Sequence, residues 1–332
     1  IDPIRETDAY IELAAERGAR IKYIFETHFH ADFVSGHIDL ARKTGAKIIY
    51  GPGAQTQYET YTGSDGEMFQ LGNLQLQLLH TPGHTPESSC YLLYNEQQQP
   101  HALFSGDTLF VGDVGRPDLA VKSDLSQDDL AGMLYDSLHN KILPLPDEVI
   151  LYPAHGAGSS CGKNIGKETF SSIGKQRLSN YALQPMSKAE FVAAVTNGLS
   201  APPPYFFEDA RINQLGYNEL EQVKANNLRR LSAKELAAHQ SEGALLLDTR
   251  PVLVFEKAFI KNSISIALDG QFAIWVGTLI DIRQPLVVVV ESAAKAEEAI
   301  IRLARVGYEA VLGYWIFDAE EIAAAQLEAD KL

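Results

Sequence analysis

The chain has 332 residues and a formal net charge of −15. This acidic balance argues against a surface that binds nucleic acid or an anionic membrane, and no apolar stretch approaches the roughly 18 residues of a membrane span. The two cysteines, Cys90 and Cys161, favour free thiols in a reducing cytoplasm over a disulfide scaffold. We therefore expect a cytoplasmic protein, and its length predicts two domains.

Helical and strand patterns alternate along the first part of the chain, and polar clusters follow the strands. Open sheets commonly place ligand sites at strand ends in this way. Periodic apolar residues predict helices over 5–17, 38–43 and 128–139, followed by mixed helix and loop over 163–228. Apolar or alternating segments predict strands over 21–26, 47–50, 74–79, 89–94, 101–105 and 148–152.

A fresh pattern begins in the last third of the chain. Ser232 and Glu235 have the spacing of a capping box before a helix. Residues 244–247 and 286–290 predict apolar strands, and a helix over 293–305 follows the second of them. Strands that alternate with helices predict an α/β unit with a parallel sheet.

The two patterns predict a domain boundary near residue 228. The domains are then residues 1–228 and 229–332. The chain begins with Ile1-Asp2-Pro3 rather than with Met, and this start reads like the end of a strand. We therefore expect N-terminal strands of the first domain to be missing from it.

Four short motifs supply histidines and carboxylates directly after predicted strands. They read T-H-F-H-A-D-F at 27–33, P-G-H-T at 82–85, S-G-D-T at 105–108 and P-A-H-G at 153–156. Zinc, iron and manganese accept imidazole and carboxylate ligands. A single histidine is usually a packed or surface residue, whereas a set of candidates after strands indicates a metal site. The candidate ligands are His28, His30, Asp32, His84, Asp107 and His155.

The four motifs, in this order over about residues 1–200, resemble the metallo-β-lactamase superfamily. The resemblance implies an αββα sandwich for the first domain. In the two-metal hydrolases of that superfamily the first motif reads H-x-H-x-D-H, and its last histidine binds the second metal. Phe33 stands at that position here, and a phenylalanine cannot bind a metal. A complete second metal site is therefore not expected.

The persulfide dioxygenase (sulfur dioxygenase) branch of the superfamily binds a single ferrous iron through two histidines and one aspartate. The resemblance assigns these ligands to His28, His84 and Asp107. This set of two histidines and one carboxylate suits non-haem Fe(II) with coordination positions open to O₂. One iron per chain is expected, and zinc is a possible substitute for the iron. The remaining candidates would orient the ligands, position water or lie at the second-metal position. They are His30, Asp32 and His155.

Two further residues match features of the same branch. Arg116, in V-G-R-P-D, is implied to bind the substrate, and the alternative is a surface ion pair with Asp118. Cys161 lies in a Gly/Ser-rich loop that resembles a loop of relatives fused to rhodanese units, so it is a candidate catalytic or persulfide-carrying residue. Lys163 is expected to lower its pKa, although a purely structural thiol is the alternative. Cys90, within a strand, is predicted to lie in the core.

Residues 229–332 resemble a rhodanese domain. The similarity rests on L-L-L-D-T-R at 245–250 and on the apolar strand over 286–290. An active rhodanese carries a cysteine directly after that strand, and Glu291 stands at this position here. The domain is therefore predicted to be inactive as a sulfurtransferase and to serve packing, dimerisation or substrate access.

These expectations combine into an iron-dependent dioxygenase of sulfide metabolism. Its substrates would be O₂ and a low-molecular-weight thiol persulfide such as glutathione persulfide, and its products would be sulfite and the thiol. A homo-oligomer is expected, with a sulfurtransferase as a possible partner. Two alternatives stay open, namely a glyoxalase II-like thioester hydrolase with two metals and a non-enzymatic sulfur-binding scaffold.

Overall fold

The computed structural model of the chain describes residues 1–120, 125–324 and 329–331. The chain divides into two compact units. The first unit comprises residues 1–202 with 213–216, and the second comprises residues 203–212 with 217–332. None of the described helices has the length and apolar character that crossing a lipid bilayer requires.

The first unit carries strands and helices in alternation. Its strands are β1 Tyr23–Phe25, β2 Lys47–Tyr50, β3 Tyr61–Thr62, β4 Met68–Leu71, β5 Leu74–His80, β6 Ser89–Tyr94, β7 Pro100–Gly106, β8 Ile150–Pro153 and β9 Ser171–Ser172. Its helices are α1 Asp8–Glu16, α2 His37–Thr44, α3 Gln127–Ser137, α4 Ile173–Ser179 and α5 Lys188–Thr196, with a π-helix over Leu138–Ile142 and a 3₁₀-helix over Tyr181–Leu183.

The strands of the first unit form two sheets. In one sheet the described strands β1, β2 and β3 are parallel. In the other, β4 to β9 lie in chain order and pair antiparallel, except that β7 and β8 are parallel. Because β7 and β8 run the same way, their carboxyl ends lie at the same edge of the sheet.

Alternating side chains of the larger sheet face two different layers. Tyr91 of β6 packs with Phe25 and Ile49 of the smaller sheet, whereas its neighbour Cys90 packs with Leu134 of α3 and other helical residues. Successive strand residues point to opposite faces, so one strand contributes to both cores. Helix α2 contacts β1 and β2. The helix–sheet–sheet–helix order expected for the first domain is therefore present.

The second unit contains a parallel sheet. Its described strands lie in the order β12, β10, β13, β14, and all neighbouring pairs are parallel, as expected. A small antiparallel pair joins β11 and β15. The strands are β10 Leu245–Asp248, β11 Phe259–Ile260, β12 Ile264–Ser265, β13 Leu286–Val290, β14 Val311–Ile316 and β15 Ala329–Asp330. The helices are α6 Phe206–Leu215, α7 Leu220–Asn227, α8 Ala233–Ser241, α9 Val252–Phe255, α10 Phe272–Leu279, α11 Ala293–Ala304 and α12 Ala319–Ala324.

The core of the second unit follows from its apolar strand pattern. All residues of β13 are buried, and Leu236 of α8 packs with Leu246 and Val287. The predicted capping box is confirmed, since the Ser232 hydroxyl accepts from the Glu235 N–H and the Glu235 carboxylate accepts from the Ser232 N–H.

The division of the chain lies earlier than the boundary predicted near residue 228. It passes through α6, and α7 belongs wholly to the second unit. Helix α7 buries Leu220 and Val223 and packs against α11 and β14. The prediction misplaced this segment because its burial depends on partners about 70 to 90 residues further along the chain, and local patterns do not reveal such partners.

Candidate metal centre

The predicted ligands lie where strands end. Thr27 and His28 follow β1, Asp107 follows β7 and His155 follows β8. His84 comes from the turn after β5, where Gly83 has a φ of +148°. A Cβ at Gly83 would lie 2.5 Å from the Leu134 Cα, so only glycine lets this turn pack on α3.

His28, His84 and Asp107 form one buried group. Their potential ligand atoms all lie within 4.8 Å of one another. The Asp107 Oδ2 is 3.4 Å from the His84 Nε2 and 3.9 Å from the His28 Nε2. Two ligands about 2.1 Å from one ion at a tetrahedral angle lie roughly 3.4 Å apart. The spacing of the three donors therefore fits a single metal ion.

The His28 ring is oriented by a hydroxyl and a carboxylate. Its Nδ1 lies 2.9 Å from the Thr27 Oγ1, which in turn donates to the Asp2 Oδ2 at 2.9 Å. Because the Thr27 proton goes to Asp2, the Thr27 oxygen accepts from the ring N–H. Burial, with the neighbouring His30, lowers the pKa of His28 well below its ordinary value. The ring is thus neutral, and its Nε2 is available for a metal.

A backbone carbonyl orients His84. The His84 Nδ1 donates to the Arg116 O at 2.8 Å, which fixes the tautomer that leaves Nε2 toward Asp107. Gly115 makes this approach possible, because a Cβ there would lie 2.0 Å from the Asp107 O and 3.0 Å from the His84 Nδ1. The loop around Arg116 therefore shapes the ligand group.

Asp107 is the anion of the group. Although burial opposes ionisation, the charge of the His155 imidazole holds the pKa of Asp107 well below its ordinary value. Among the described residues, neither of its carboxylate oxygens has a hydrogen-bond partner, and the same is true of the His28 Nε2. Buried polar groups are normally satisfied, so these unpartnered donors fit a bound divalent cation.

A second group contains Asp32, His155 and Cys161, whose potential ligand atoms also lie within 4.8 Å of one another. The His155 Nε2 is 3.4 Å from the Asp32 Oδ2 and 3.4 Å from the Asp107 Oδ1. Although burial opposes it, Asp107 and Asp32 raise the pKa of His155 well above its ordinary value.

His30 belongs to a third group, with Asp2 and Glu26. Its Nε2 lies 3.1 Å from the Asp2 Oδ1 and 3.6 Å from the Glu26 Oε2. Burial and the charge of Asp2 raise the pKa of Glu26 to about 8; although burial opposes it, Asp2 raises the pKa of His30 to about 9. His30 therefore faces carboxylates beside the ligand group.

Arg116 is buried, and its guanidinium makes four hydrogen bonds. It forms a two-pronged pair with Asp118, at 2.7 Å for both contacts, and donates to the carbonyls of Ser160 and Ser200. The ion pair considered from the sequence is present, in a buried setting rather than at the surface. The substrate-binding role of Arg116 stays a prediction.

Cys161 is 1% exposed, and the expected effect of Lys163 on it is wrong. Burial, followed by the charges of Asp32 and Asp107, raises the pKa of the Cys161 thiol. The Lys163 ammonium instead donates to the carbonyls of Ala194 and Asn197. Closeness in sequence did not place the cation beside the sulfur. Cys90 lies in the core, as predicted.

Sequence reasoning missed Asp2, Glu26 and Asn213. The Asn213 amide donates to the carbonyls of His30 and Phe33, at 2.8 Å each, and its oxygen accepts from the Ser35 N–H. Asn213 therefore fastens the loop that carries the first motif. It lies about 180 residues away along the chain, and no motif surrounds it.

A cavity of about 440 Å³ opens beside the ligand groups. Ligand sites commonly have this size. His30, Asp32 and His155 line it, so the second and third groups face its interior. Its other lining residues, many of them apolar, are Ile1, Asp2, Ile4, Phe33, Phe104, Gly106, Tyr152, Pro153 and Ala154.

Comparison with known proteins identifies the family. Residues 1–155 match the family model described as the metallo-beta-lactamase superfamily. The bovine mitochondrial persulfide dioxygenase ETHE1 is 32% identical over 214 residues, which cover 61% of this chain and 72% of that protein. The chain belongs to the metallo-β-lactamase superfamily. Its mixed α/β fold and its strand-end ligand groups agree with this membership.

Other members of the superfamily are similar to this chain. The probable hydroxyacylglutathione hydrolase glo2 of Schizosaccharomyces pombe is 35% identical over 159 residues. The matched residues cover 47% of this chain and 57% of the yeast protein. A crystal structure of a metallo-β-lactamase from Staphylococcus aureus COL has a TM-score of 0.83 and 31% identity, covering 96% of this chain and 91% of that one. Relatives with different reactions are therefore similarly close.

Proposed function

We propose that this member of the superfamily is an iron-dependent persulfide dioxygenase. The observation that carries the proposal is the buried His28, His84 and Asp107 group, whose donors converge without hydrogen-bond partners of their own at the His28 Nε2 and both Asp107 oxygens. Two histidines and one carboxylate are the ligand set of non-haem Fe(II) oxygenases. One ferrous ion per chain would be held there, and zinc could substitute for it.

The proposed reaction converts R–S–SH, O₂ and water into R–SH and sulfite with two protons. The sulfane sulfur loses four electrons in becoming sulfite and O₂ gains four, so atoms and electrons balance without a flavin or nicotinamide. Bound ferrous iron would supply the redox chemistry and open positions for the reactants. The substrate would be a small thiol persulfide such as glutathione persulfide.

The chain's own residues would prepare this chemistry. Thr27 and the Arg116 carbonyl hold the His28 and His84 rings with Nε2 toward Asp107, and Asp107 supplies negative charge. Phe33, Phe104 and Tyr152 give the adjoining cavity apolar walls. Such walls limit water near a reactive sulfur.

The second unit is proposed to be a rhodanese-like domain without sulfurtransferase activity. Glu291 lines a small recess of about 50 Å³ together with Arg250 and Lys295. A carboxylate cannot serve as the sulfur nucleophile of that reaction. We propose that this domain instead serves packing, the formation of a homo-oligomer or contact with a sulfurtransferase partner.

A thioester hydrolase of the glyoxalase II type is the second candidate function. Its support is the 35% identity with the fission-yeast hydrolase. Such a reaction uses metal-activated water, and it needs no O₂. A non-enzymatic sulfur-binding scaffold is the third candidate.

One experiment separates these candidates. Anaerobically purified, iron-loaded protein is given glutathione persulfide and O₂ uptake and sulfite are recorded, while S-lactoylglutathione hydrolysis is measured in parallel with the zinc-loaded protein. The dioxygenase proposal predicts one O₂ consumed per sulfite formed. No O₂ uptake with any small persulfide overturns it, hydrolysis alone supports the thioester hydrolase, and failure to retain any metal supports the scaffold. His139→Ala is the control variant for a histidine outside the ligand groups, and it should keep its metal and its activity. His139 stacks on the Tyr135 ring and hydrogen-bonds to the Tyr135 carbonyl.

A further inference from the structure

A further cavity, of about 600 Å³, opens in the first unit, and the proposed reaction does not use it. It lies at the start of β2 and β3, where Lys47, Ile48 and Tyr61 line it. His28 follows the carboxyl end of β1, and β1, β2 and β3 are parallel. The cavity and the metal ligand His28 therefore lie at opposite edges of this small sheet.

Apolar and aromatic side chains form much of the cavity wall. Helix α2, strand β2 and the residue before β2 supply aliphatic groups, and two tyrosines add aromatic rings. The volume lies in the range of cavities that hold small molecules, and walls of this kind bury the body of a ligand. The aliphatic residues are Ile38, Ala41, Ala46 and Ile48, and the tyrosines are Tyr58 and Tyr61.

Basic side chains at the cavity indicate the charge of its ligand. Arg42 and Lys47 line it, and Glu59 is the one acidic residue among the described lining residues, although the whole chain has a net charge of −15. The Lys47 side chain is exposed, and the described part of the chain contains no ion pair that involves it. Basic groups beside a concave apolar wall attract anions. The cavity therefore favours a small organic anion with an aromatic or apolar body.

Tyr58 connects the cavity wall to the loop of the first metal-binding motif. Its hydroxyl donates to the Asn213 O at 2.6 Å. The Asn213 side chain in turn donates to the carbonyls of His30 and Phe33, at 2.8 Å each. One residue therefore separates the cavity wall from the loop that carries the metal ligands.

The segment that carries Asn213 also packs on the cavity wall. Gly216 has a φ of +96°, and a Cβ there would lie 3.4 Å from the Tyr58 Cδ1 and 3.6 Å from the Ile38 Cδ1. The Gln57 N–H donates to the Gln214 O at 3.2 Å. A ligand that fixes the Tyr58 side chain would therefore also restrain residues 213–216.

We infer that this cavity is an effector site for a small organic anion with an aromatic or apolar body, and that a bound ligand strengthens metal binding through Tyr58 and Asn213. The ligand would restrain Tyr58 and residues 213–216, and a metal ion would restrain the loop that Asn213 holds. Each binding event then reduces the conformational entropy that the other must remove. Such coupling is reciprocal, and it does not depend on which reaction the metal centre catalyses.

The fluorescent anion 8-anilino-1-naphthalenesulfonate tests the site, because it combines one negative charge with an apolar aromatic body. It is titrated into the metal-free full-length protein and into the Zn²⁺-loaded protein, and its fluorescence is followed. We expect saturable binding to both forms. Zn²⁺ should raise the affinity for the probe at least about fivefold, as coupling between two sites typically does.

Two variants locate the probe in the cavity. Ala41→Trp fills the cavity with an indole ring and should lower the affinity for the probe at least about tenfold. Lys47→Glu reverses the charge at the cavity and should lower the affinity about threefold or more. Lys234→Glu is the matched control, because it makes the same change of charge on α8 in the second unit and should leave the affinity unchanged.

A further pair of variants tests the connection to the metal centre. Tyr58→Phe keeps the ring but removes the hydroxyl that donates to Asn213, so it should bind the probe and lose most of the effect of Zn²⁺. Tyr61→Phe is its control, because the Tyr61 hydroxyl donates to Glu67 instead. It should keep both the binding and the effect of Zn²⁺.

Circular dichroism of each variant verifies folding. The inference is overturned if the wild-type protein does not bind the probe, or if Ala41→Trp and Lys47→Glu bind it as the wild type does. It is also overturned if Zn²⁺ leaves the wild-type affinity for the probe unchanged, or if Tyr58→Phe responds to Zn²⁺ as the wild type does. O₂ uptake with glutathione persulfide, measured separately, reports on the proposed function alone.

Discussion

In both units a buried aspartate lies at the carboxyl end of a strand. The aspartate of the second unit is paired with an arginine, whereas that of the first unit has no hydrogen-bond partner among the described residues. After β10 of the second unit, the Arg250 guanidinium pairs with both oxygens of Asp248, at 2.9 and 2.7 Å, and lies 3.5 Å from the centre of the Phe317 ring. After β7 of the first unit, both oxygens of Asp107 lack hydrogen-bond partners among the described residues.

This difference separates a structural charge from a ligand. A buried unsatisfied polar group costs about 1–3 kcal/mol of stability, so folding alone does not favour leaving Asp107 open. Asp248 meets its requirement within the protein and has no capacity for a further partner. Asp107 retains that capacity, and a cation would satisfy it. The predictions that follow test this contrast.

The largest expected effect is the loss of metal binding in His84→Ala. This change removes one of the two imidazoles of the ligand group and leaves a site with too few donors. Iron content should fall from about one ion per chain to near zero, as measured by elemental analysis after anaerobic loading. Cys90→Ser should keep its iron and most of its activity, because Cys90 packs in the core and belongs to none of the ligand groups. Iron retained in His84→Ala would show that the ligands are assigned wrongly.

Arg250→Met should destabilise the second unit without changing metal content. The change leaves the 1%-exposed Asp248 as an unpaired buried charge, which costs about 3–5 kcal/mol. Urea unfolding measures this loss. The matched control is Arg283→Met, because Arg283 and Asp281 form a highly exposed pair and water and salt screen such pairs so that they contribute little to stability. Equal losses in the two variants would contradict the contrast between buried and exposed pairs.

Elements set by local pattern could be predicted from the sequence. The bounds of β2, β6 and β13 agree with the predicted strands, and the helix α11 ends within one residue of its prediction. In each case a continuous or alternating apolar run defines the element. The placement of the candidate ligands after strands or tight turns indicated a shared site, whereas the grouping of His28, His84 and Asp107 came from the family resemblance, and these three residues do lie together.

Features that depend on distant partners could not be predicted. The orientation of His30 toward Asp2 and Glu26, and the binding of its loop by Asn213, require contacts that the fold alone creates. The same reason explains the error about Lys163, whose ammonium reaches residues about 30 positions away. A sequence motif identifies the polar side chains, whereas the tertiary structure determines which partner each side chain contacts.

Thr27→Val should weaken metal binding by an intermediate amount. The variant keeps the shape of the side chain but removes the hydroxyl that joins His28 to Asp2. Loss of a residue that orients a metal ligand typically lowers affinity about 10–100-fold, which competition with a chelator can measure. Thr27→Ser keeps the hydroxyl and should keep the metal affinity. Thr196→Val should also leave the affinity unchanged, because it removes only a hydroxyl that donates to the Val192 O within a helix. Unchanged affinity in Thr27→Val would exclude the orienting role.

The smallest expected effect is on substrate affinity in Arg116→Lys. The Arg116 guanidinium already donates to both oxygens of Asp118 and to the carbonyls of Ser160 and Ser200, so we expect it to contribute little to persulfide binding. Lysine keeps the charge but cannot reproduce the two-pronged pair with Asp118. We therefore expect lower thermal stability, while the KM for glutathione persulfide changes by less than about threefold. A KM increase of tenfold or more with stability unchanged would instead assign Arg116 to the substrate. Arg116 would then leave Asp118 to bind the substrate. In that case the Arg116–Asp118 pair would not show that Arg116 has only a structural role.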